Sequence, residues 1–244
     1  MTNLSDRKLE ILADREALSH RVADWMQDIA LTTAGILTVA LSGGSTPTEL
    51  YRLLGGPRYR DSFPWSRTHW FWGDERFLSH DDARSNYRMA KEALLSRAPI
   101  PSANIHPIPT GGDSAEATAV AYERELKSFY GAADLDPARS LFDVTLLGLG
   151  ADGHTASLFP GGAALDERER WVSAVFDSKQ ETRITLTYPV LESSRHAAFL
   201  VVGKEKREIL DRLLCGDESL PAARLHPTGT LWIFSDIAAE EDIT

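Results

Sequence analysis

The chain has 244 residues, 26 basic against 36 acidic side chains for a formal charge of −10, and is 43% hydrophobic. That length supports one large domain or two small ones, and the composition excludes disordered, collagenous and disulfide-stapled classes. The acidic balance argues against nucleic-acid or anionic-membrane partners, which need clustered Lys and Arg; the one cysteine, Cys215, excludes an intrachain disulfide and multi-cysteine zinc patterns.

The start, Met1 to Arg7, lacks the apolar core of a secretory signal. No stretch approaches the roughly 18 apolar residues of a membrane span. A cytoplasmic globular protein is the expectation. Leu18, Val22, Trp25, Met26 and Ile29 recur at helical spacing. The apolar run Ile36 to Leu41 reads as a buried parallel strand. Ser42-Gly43-Gly44-Ser45 then turns into a helix predicted to begin at Thr46, with a Thr46–Glu49 capping box and Pro47 at the first helical position. Trp70 to Trp72 is the next strand, closed by Gly73-Asp74-Glu75-Arg76. Ala90, Ala93 and Leu94 suggest a helix, Pro99 to Gly112 a connection with a short strand, and Tyr122, Leu126, Phe129 and Tyr130 another helix. Phe142 to Leu147 is a strand that runs into Gly148-Leu149-Gly150-Ala151-Asp152-Gly153-His154. Trp171 to Phe176, Ile184 to Leu186, Ala197 to Val202 and Leu231 to Phe234 complete the strands, and Ile209 to Leu214 forms a helix that Gly216 can end. The alternation predicts an α/β fold over residues 1–244: a single three-layer α/β/α domain with a mostly parallel, Rossmann-like sheet.

Ligands of open α/β sheets bind beyond the carboxyl ends of the strands. Three such ends carry polar or glycine-rich turns here: Ser42 to Thr46, Gly73 to Arg76 and Gly148 to His154. In the first, glycines let backbone N–H groups approach an anion at a helix N-terminus; taken alone, an ordinary capped turn fits it equally well. It is not a Walker loop, because no Lys follows the second glycine. Gly148 to Gly153 matches G-x-G-x-x-G, but Pro160-Gly161-Gly162 soon breaks any helix behind it, which argues against a dinucleotide. His154 stands apart among seven histidines because it ends a glycine-rich turn beside Asp152. A neutral imidazole there can take a proton from water, although capping or packing is the commoner role of a lone histidine. No G-x-S-x-G nucleophile and no metal-ligand spacing occurs, and Cys215 ends an apolar helical pattern.

Together the blocks are more specific than any one of them. Leu41 to Pro47, Trp72 to Arg76 with Ser85-Asn86-Tyr87-Arg88, and Leu147 to Pro160 resemble the 6-phosphogluconolactonase family, within the wider group that includes glucosamine-6-phosphate deaminases. Arg183 to Thr187, Gly203 to Lys206, Leu220 to Arg224 and Trp232 also match, so the resemblance spans nearly the whole chain. It implies hydrolysis of 6-phospho-D-glucono-1,5-lactone, a step of the oxidative pentose phosphate pathway, with no metal or organic cofactor. By this resemblance His154 is the general base and Asp152 orients the site. Gly43, Gly44 and Ser45 cradle the phosphate with Arg76 and Lys206, while Asp74, Asn86 and Arg183 lie close to the substrate. The Gly-x-x-Lys spacing selects Lys206 over Lys204. The implied partner is a small phosphorylated sugar lactone rather than nucleic acid or membrane, and a monomer is the expected state. Backbone N–H groups of the Gly148–His154 turn are the expected oxyanion donors. Glu192 departs from the Asn common at its place and is expected to be peripheral. The deaminase branch carries a Glu five residues after the histidine, where this chain has Phe159. A sugar-phosphate-sensing regulator would need a DNA-binding motif, and the first helix, beginning near Asp14, leaves no room for one.

Overall fold

The computed structural model describes residues 7–176 and 181–237; of the Met1–Arg7 stretch read for a signal core, all but Arg7 lies outside the described residues. In chain order the first elements are β1 (Arg7–Ile11), α1 (Arg15–Thr32), β2 (Leu37–Leu41), α2 (Ser45–Leu54), α3 (Pro57–Arg60), β3 (Thr68–Trp72) and β4 (Asp74–Arg76). Next come α4 (Asn86–Ala90), β5 (Ile105–His106), α5 (Ala115–Tyr130) and β6 (Phe142–Gly148). The last are β7 (Val172–Val175), β8 (Arg183–Leu186), α6 (Tyr188–Glu192), β9 (Ser194–Val201), α7 (Arg207–Leu214) and β10 (Thr230–Ser235).

Seven strands form one sheet in the order β1-β10-β9-β6-β2-β3-β5, with every pairing parallel. Helices cover both faces, which is why all five residues of β2 are buried and its sequence is continuously apolar apart from Thr38. Trp70, Phe71, Trp72, Phe142, Phe199 and Phe234 fill the core around these central strands. From β2 the chain moves outward through β3 to β5, then returns to the other side of β2 with β6 and continues through β9 and β10. The direction of travel reverses between β2 and β6, and a crevice opens at such a switch point. Among the described residues no helix is long and apolar enough to cross a membrane.

Helix ends follow local chemistry. Asp14 caps α1 by accepting from Ala17 N at 2.8 Å, and Ser114 caps α5 by accepting from Ala117 N at 3.1 Å. Gly216 ends α7 as expected: its N–H donates to Leu213 O, and that of Asp217 donates to Arg212 O, a Schellman pair. One expectation is corrected. The helix after β2 begins at Ser45 with Gly44 (φ 107°) at the cap, so Thr46 is already helical and no capping box forms. Sequence pattern favoured the side-chain cap; the structure leaves the terminus without one and directs Thr48 Oγ1 to Gly44 O at 2.7 Å.

A second sheet was not foreseen. β4, β8 and β7 form a small antiparallel sheet in which Asp74 pairs with Thr185, Glu75 with Ile184 and Arg76 with Arg183. It stands beyond the end of β3 and forms one side of the crevice.

Candidate active site

The loop leaving β2 is held by Tyr51, one and a half turns into α2. The Tyr51 hydroxyl accepts from Ser42 N at 3.0 Å and donates to Ser42 O at 2.9 Å. Burial pushes its pKa well up, so it remains the neutral donor this turn requires. Gly43 then passes so close to Asn86 that a Cβ would lie 2.1 Å from its Oδ1. Asn86 is fixed from the other side, with Nδ2 donating to Asp74 O at 2.9 Å and its own N–H to Glu75 Oε1 at 2.8 Å.

The adjacent carboxylates Asp74 and Glu75 take different parts. Glu75 is 1% exposed and accepts from the backbone N–H groups of Arg76, Asn86 and Tyr87 and from Ser85 Oγ. Burial raises its pKa, against the pull of those four donors. It ties β4 to the start of α4. Asp74 instead lines the cleft, where Ser157 Oγ donates to its Oδ2 at 2.6 Å and Arg183 Nη1 stands 3.8 Å from the same oxygen.

The turn after β6 folds around His154. Gly150 N donates to His154 O at 2.8 Å and Gly153 N to Gly150 O at 3.0 Å, closing the turn on itself. A Cβ on Gly150 would lie 2.0 Å from His154 Nδ1 and 2.7 Å from Asp152 Oδ1, so only glycine admits this pair. Asp152 Oδ1 accepts from His154 Nδ1, and the ring of Phe159 packs against the imidazole with centroids 4.7 Å apart. An ionised carboxylate only accepts, so Nδ1 carries the proton and the Nε2 lone pair remains for chemistry. Of the turn's N–H groups read as oxyanion donors, those of Gly150, Gly153 and His154 already have partners within it. Those N–H groups are spent internally, the last on Asp152 Oδ1 at 3.2 Å. Ala156 follows with φ 47°, and no helix opens after Gly153, so the G-x-G-x-x-G match has no dinucleotide geometry.

These parts meet in a cleft of about 310 Å³. Gly43, Gly44, Ser45, Asp74, Arg76, Asn86, His154, Arg183 and Lys206 all line it. Asp152 stands behind His154 rather than in the wall. Lys206 is held by donating Nζ to Leu149 O at 2.9 Å, from a turn that begins at Gly203 just past β9. Burial pulls the Arg183 pKa down; Asp74 counters this, Arg76 adds to it and Glu181 counters again. Among the described residues, the Nε atoms of Arg76 and Arg183 are buried without a hydrogen-bond partner. Glu192 lies away from the cleft, its carboxylate accepting from His226 N at 3.0 Å. Among the described residues no group of three or more His, Cys, Asp or Glu side chains is placed to hold a metal ion. Sequence reasoning missed Ser157 and Glu181. Ser157 lies in the Leu147–Pro160 block, but only folding brings it to Asp74, 83 residues away.

Residues 13–233 match the family described as glucosamine-6-phosphate isomerases/6-phosphogluconolactonase. The 6-phosphogluconolactonase of Nostoc sp. is 38% identical, over 98% of this chain and 99% of its own. That of Synechocystis sp. is 42% identical, over 86% and 87%. Among solved structures, 6-phosphogluconolactonase from Trypanosoma cruzi superposes with a TM-score of 0.81 at 29% identity, covering 100% of this chain and 99% of that one. With this match spanning both the sheet and the cleft, the chain belongs to the glucosamine-6-phosphate isomerase/6-phosphogluconolactonase family.

Proposed function

We propose that this chain hydrolyses 6-phospho-D-glucono-1,5-lactone to 6-phospho-D-gluconate, the lactone-opening step of the oxidative pentose phosphate pathway. The observation that carries the reading is the shared cleft. The His154–Asp152 pair opens on the same small space as Arg76, Arg183, Lys206 and the uncapped start of α2. A base and an anion site that face one another suit a neutral reacting carbonyl with a remote phosphate.

His154 Nε2 takes a proton from water as the water oxygen bonds to the lactone carbonyl carbon. The resulting tetrahedral anion collapses, the bond to the ring oxygen breaks, and that oxygen takes the proton back from Nε2. The product acid releases its proton to solvent. Asp152 holds the imidazole in the required tautomer and offsets its transient positive charge. Gly43, Gly44 and Ser45 offer backbone donors at the start of α2, where the helix adds partial positive charge. Arg76 and Lys206 add cationic donors for the phosphate. Asn86 keeps the loop at Gly43 in place, and Asp74 with Arg183 borders the sugar. The binding energy of the phosphate keeps the carbonyl in register with the base.

Deamination of glucosamine 6-phosphate is the competing activity. Phe159 occupies the place of that branch's carboxylate and packs on His154, which favours the lactonase. The test is acid release from the lactone with and without protein in identical buffer, since the lactone also opens unaided. Hydrolysis well above the blank is expected; a rate equal to the blank overturns the reading, and ammonia from glucosamine 6-phosphate would establish the competitor.

A further inference from the structure

Arg76 and Arg183 are direct partners across the β4–β8 ladder. Like charges directly opposite in an antiparallel pair repel and destabilise it. Water screens this pair poorly, since the two side chains are only 28% and 20% exposed. The ladder therefore needs an anion close to both cations. Asp74 reaches Arg183 at 3.8 Å. Glu181 reaches both: its Oε2 lies 3.6 Å from Arg183 Nη2 and 4.0 Å from Arg76 Nε.

Glu181 is itself restrained. Its side chain is 11% exposed, and its Oε1 accepts from Arg84 Nη1 at 2.8 Å. Arg84 is braced by Asp82 at 3.0 Å, and its carbonyl accepts from Arg76 Nη1. Charges thus alternate from Asp82 through Arg84 and Glu181 to the two cleft arginines. Glu181 does not line the cleft, so it acts on a ligand through those arginines.

We propose that Glu181 is a positioning residue: the shared counter-ion that keeps Arg76 and Arg183 side by side and aims both into the cleft. The catalytic part of this inference rests on the proposed lactonase function; the charge part does not. Removing the carboxylate charge has two opposed consequences. An anion in the cleft meets a stronger positive field, while the two guanidinium groups lose the contact that aligns them.

The test is Glu181→Gln, which keeps shape and removes charge, alongside Glu181→Asp, which keeps charge and shortens reach. Inorganic phosphate binding is measured by calorimetry on the resting protein, and kcat and KM are measured on the lactone. For Glu181→Gln, phosphate is expected to bind about threefold tighter, kcat to fall about tenfold and KM not to rise. For Glu181→Asp, phosphate affinity stays near that of the parent while kcat falls. Unchanged phosphate affinity with unchanged kcat overturns the proposal, as does a rise in KM with kcat intact. If Glu181→Gln does not fold, the Glu181→Asp result decides, and an unaltered kcat there overturns it. A parent protein that binds phosphate but opens the lactone at the blank rate removes the lactonase reading, and the phosphate affinities then decide the role of Glu181.

Discussion

At the carboxyl ends of β2 and β6 the chain opens a cleft of about 310 Å³, whereas at their amino ends Thr38, Leu141, Asp143 and Arg195 help line a hollow of about 610 Å³. The larger hollow is the quieter one. Asp143 Oδ2 accepts from Thr38 N at 2.9 Å and its Oδ1 from Arg195 Nη1 at 3.1 Å, so its carboxylate is satisfied by the fold. At the carboxyl end, Arg76 Nε and Arg183 Nε have no hydrogen-bond acceptor among the described residues, the α2 terminus has no side-chain cap, and His154 keeps Nε2 free of Asp152. Polar groups that folding leaves unanswered mark a site better than volume does. The parallel sheet creates this asymmetry, because its strand ends and the start of α2 all meet on one side.

Three substitutions test that contrast. His154→Ala is expected to lower kcat on the lactone on the order of 100-fold or more, with folding retained by circular dichroism. A variant with undiminished kcat would remove the general base from the mechanism and with it the distinction between the two ends. Lys206→Ala should act mainly on binding, raising KM about tenfold as one charge-assisted contact to phosphate is lost. The matching control is the unphosphorylated lactone, whose kinetics should change little; equal losses on both substrates would place Lys206 outside the phosphate site. At the amino end, Asp143→Ala should leave turnover of the folded protein within about twofold and lower stability by about 1–3 kcal/mol, because Thr38 N–H loses its buried acceptor. Urea unfolding measures this, and a loss of activity without loss of stability would show that the amino end also serves catalysis.

Legibility in sequence followed range. Strands β2 and β6 were readable because parallel strands buried on both faces are largely apolar, interrupted here only by Thr38 in β2 and by Asp143 and Thr145 in β6. His154 stood out because it ends a glycine-rich turn beside Asp152, but spacing alone left capping or packing the commoner role, and only the family resemblance pointed to a base. Strand β4 was not readable, since three residues carry no period, and neither was the antiparallel sheet that pairs it with β8 over a hundred residues later. The cap of α2 was misread because Thr46 and Glu49 have the spacing of a capping box, whereas α2 begins at Ser45 with Gly44 at the cap and no side-chain cap forms.

The sequence by itself determined the alternating α/β order, the three turns that carry chemistry and the family blocks. These rest on local spacing, which the chain carries wherever it goes. Tertiary structure alone decided that Asp74 meets Ser157, that Arg76 stands opposite Arg183 and that Glu181 lies between the two arginines and Arg84. Charges act through space, so a carboxylate unremarkable in sequence becomes the neighbour of both cleft arginines only once β4 and β8 have paired.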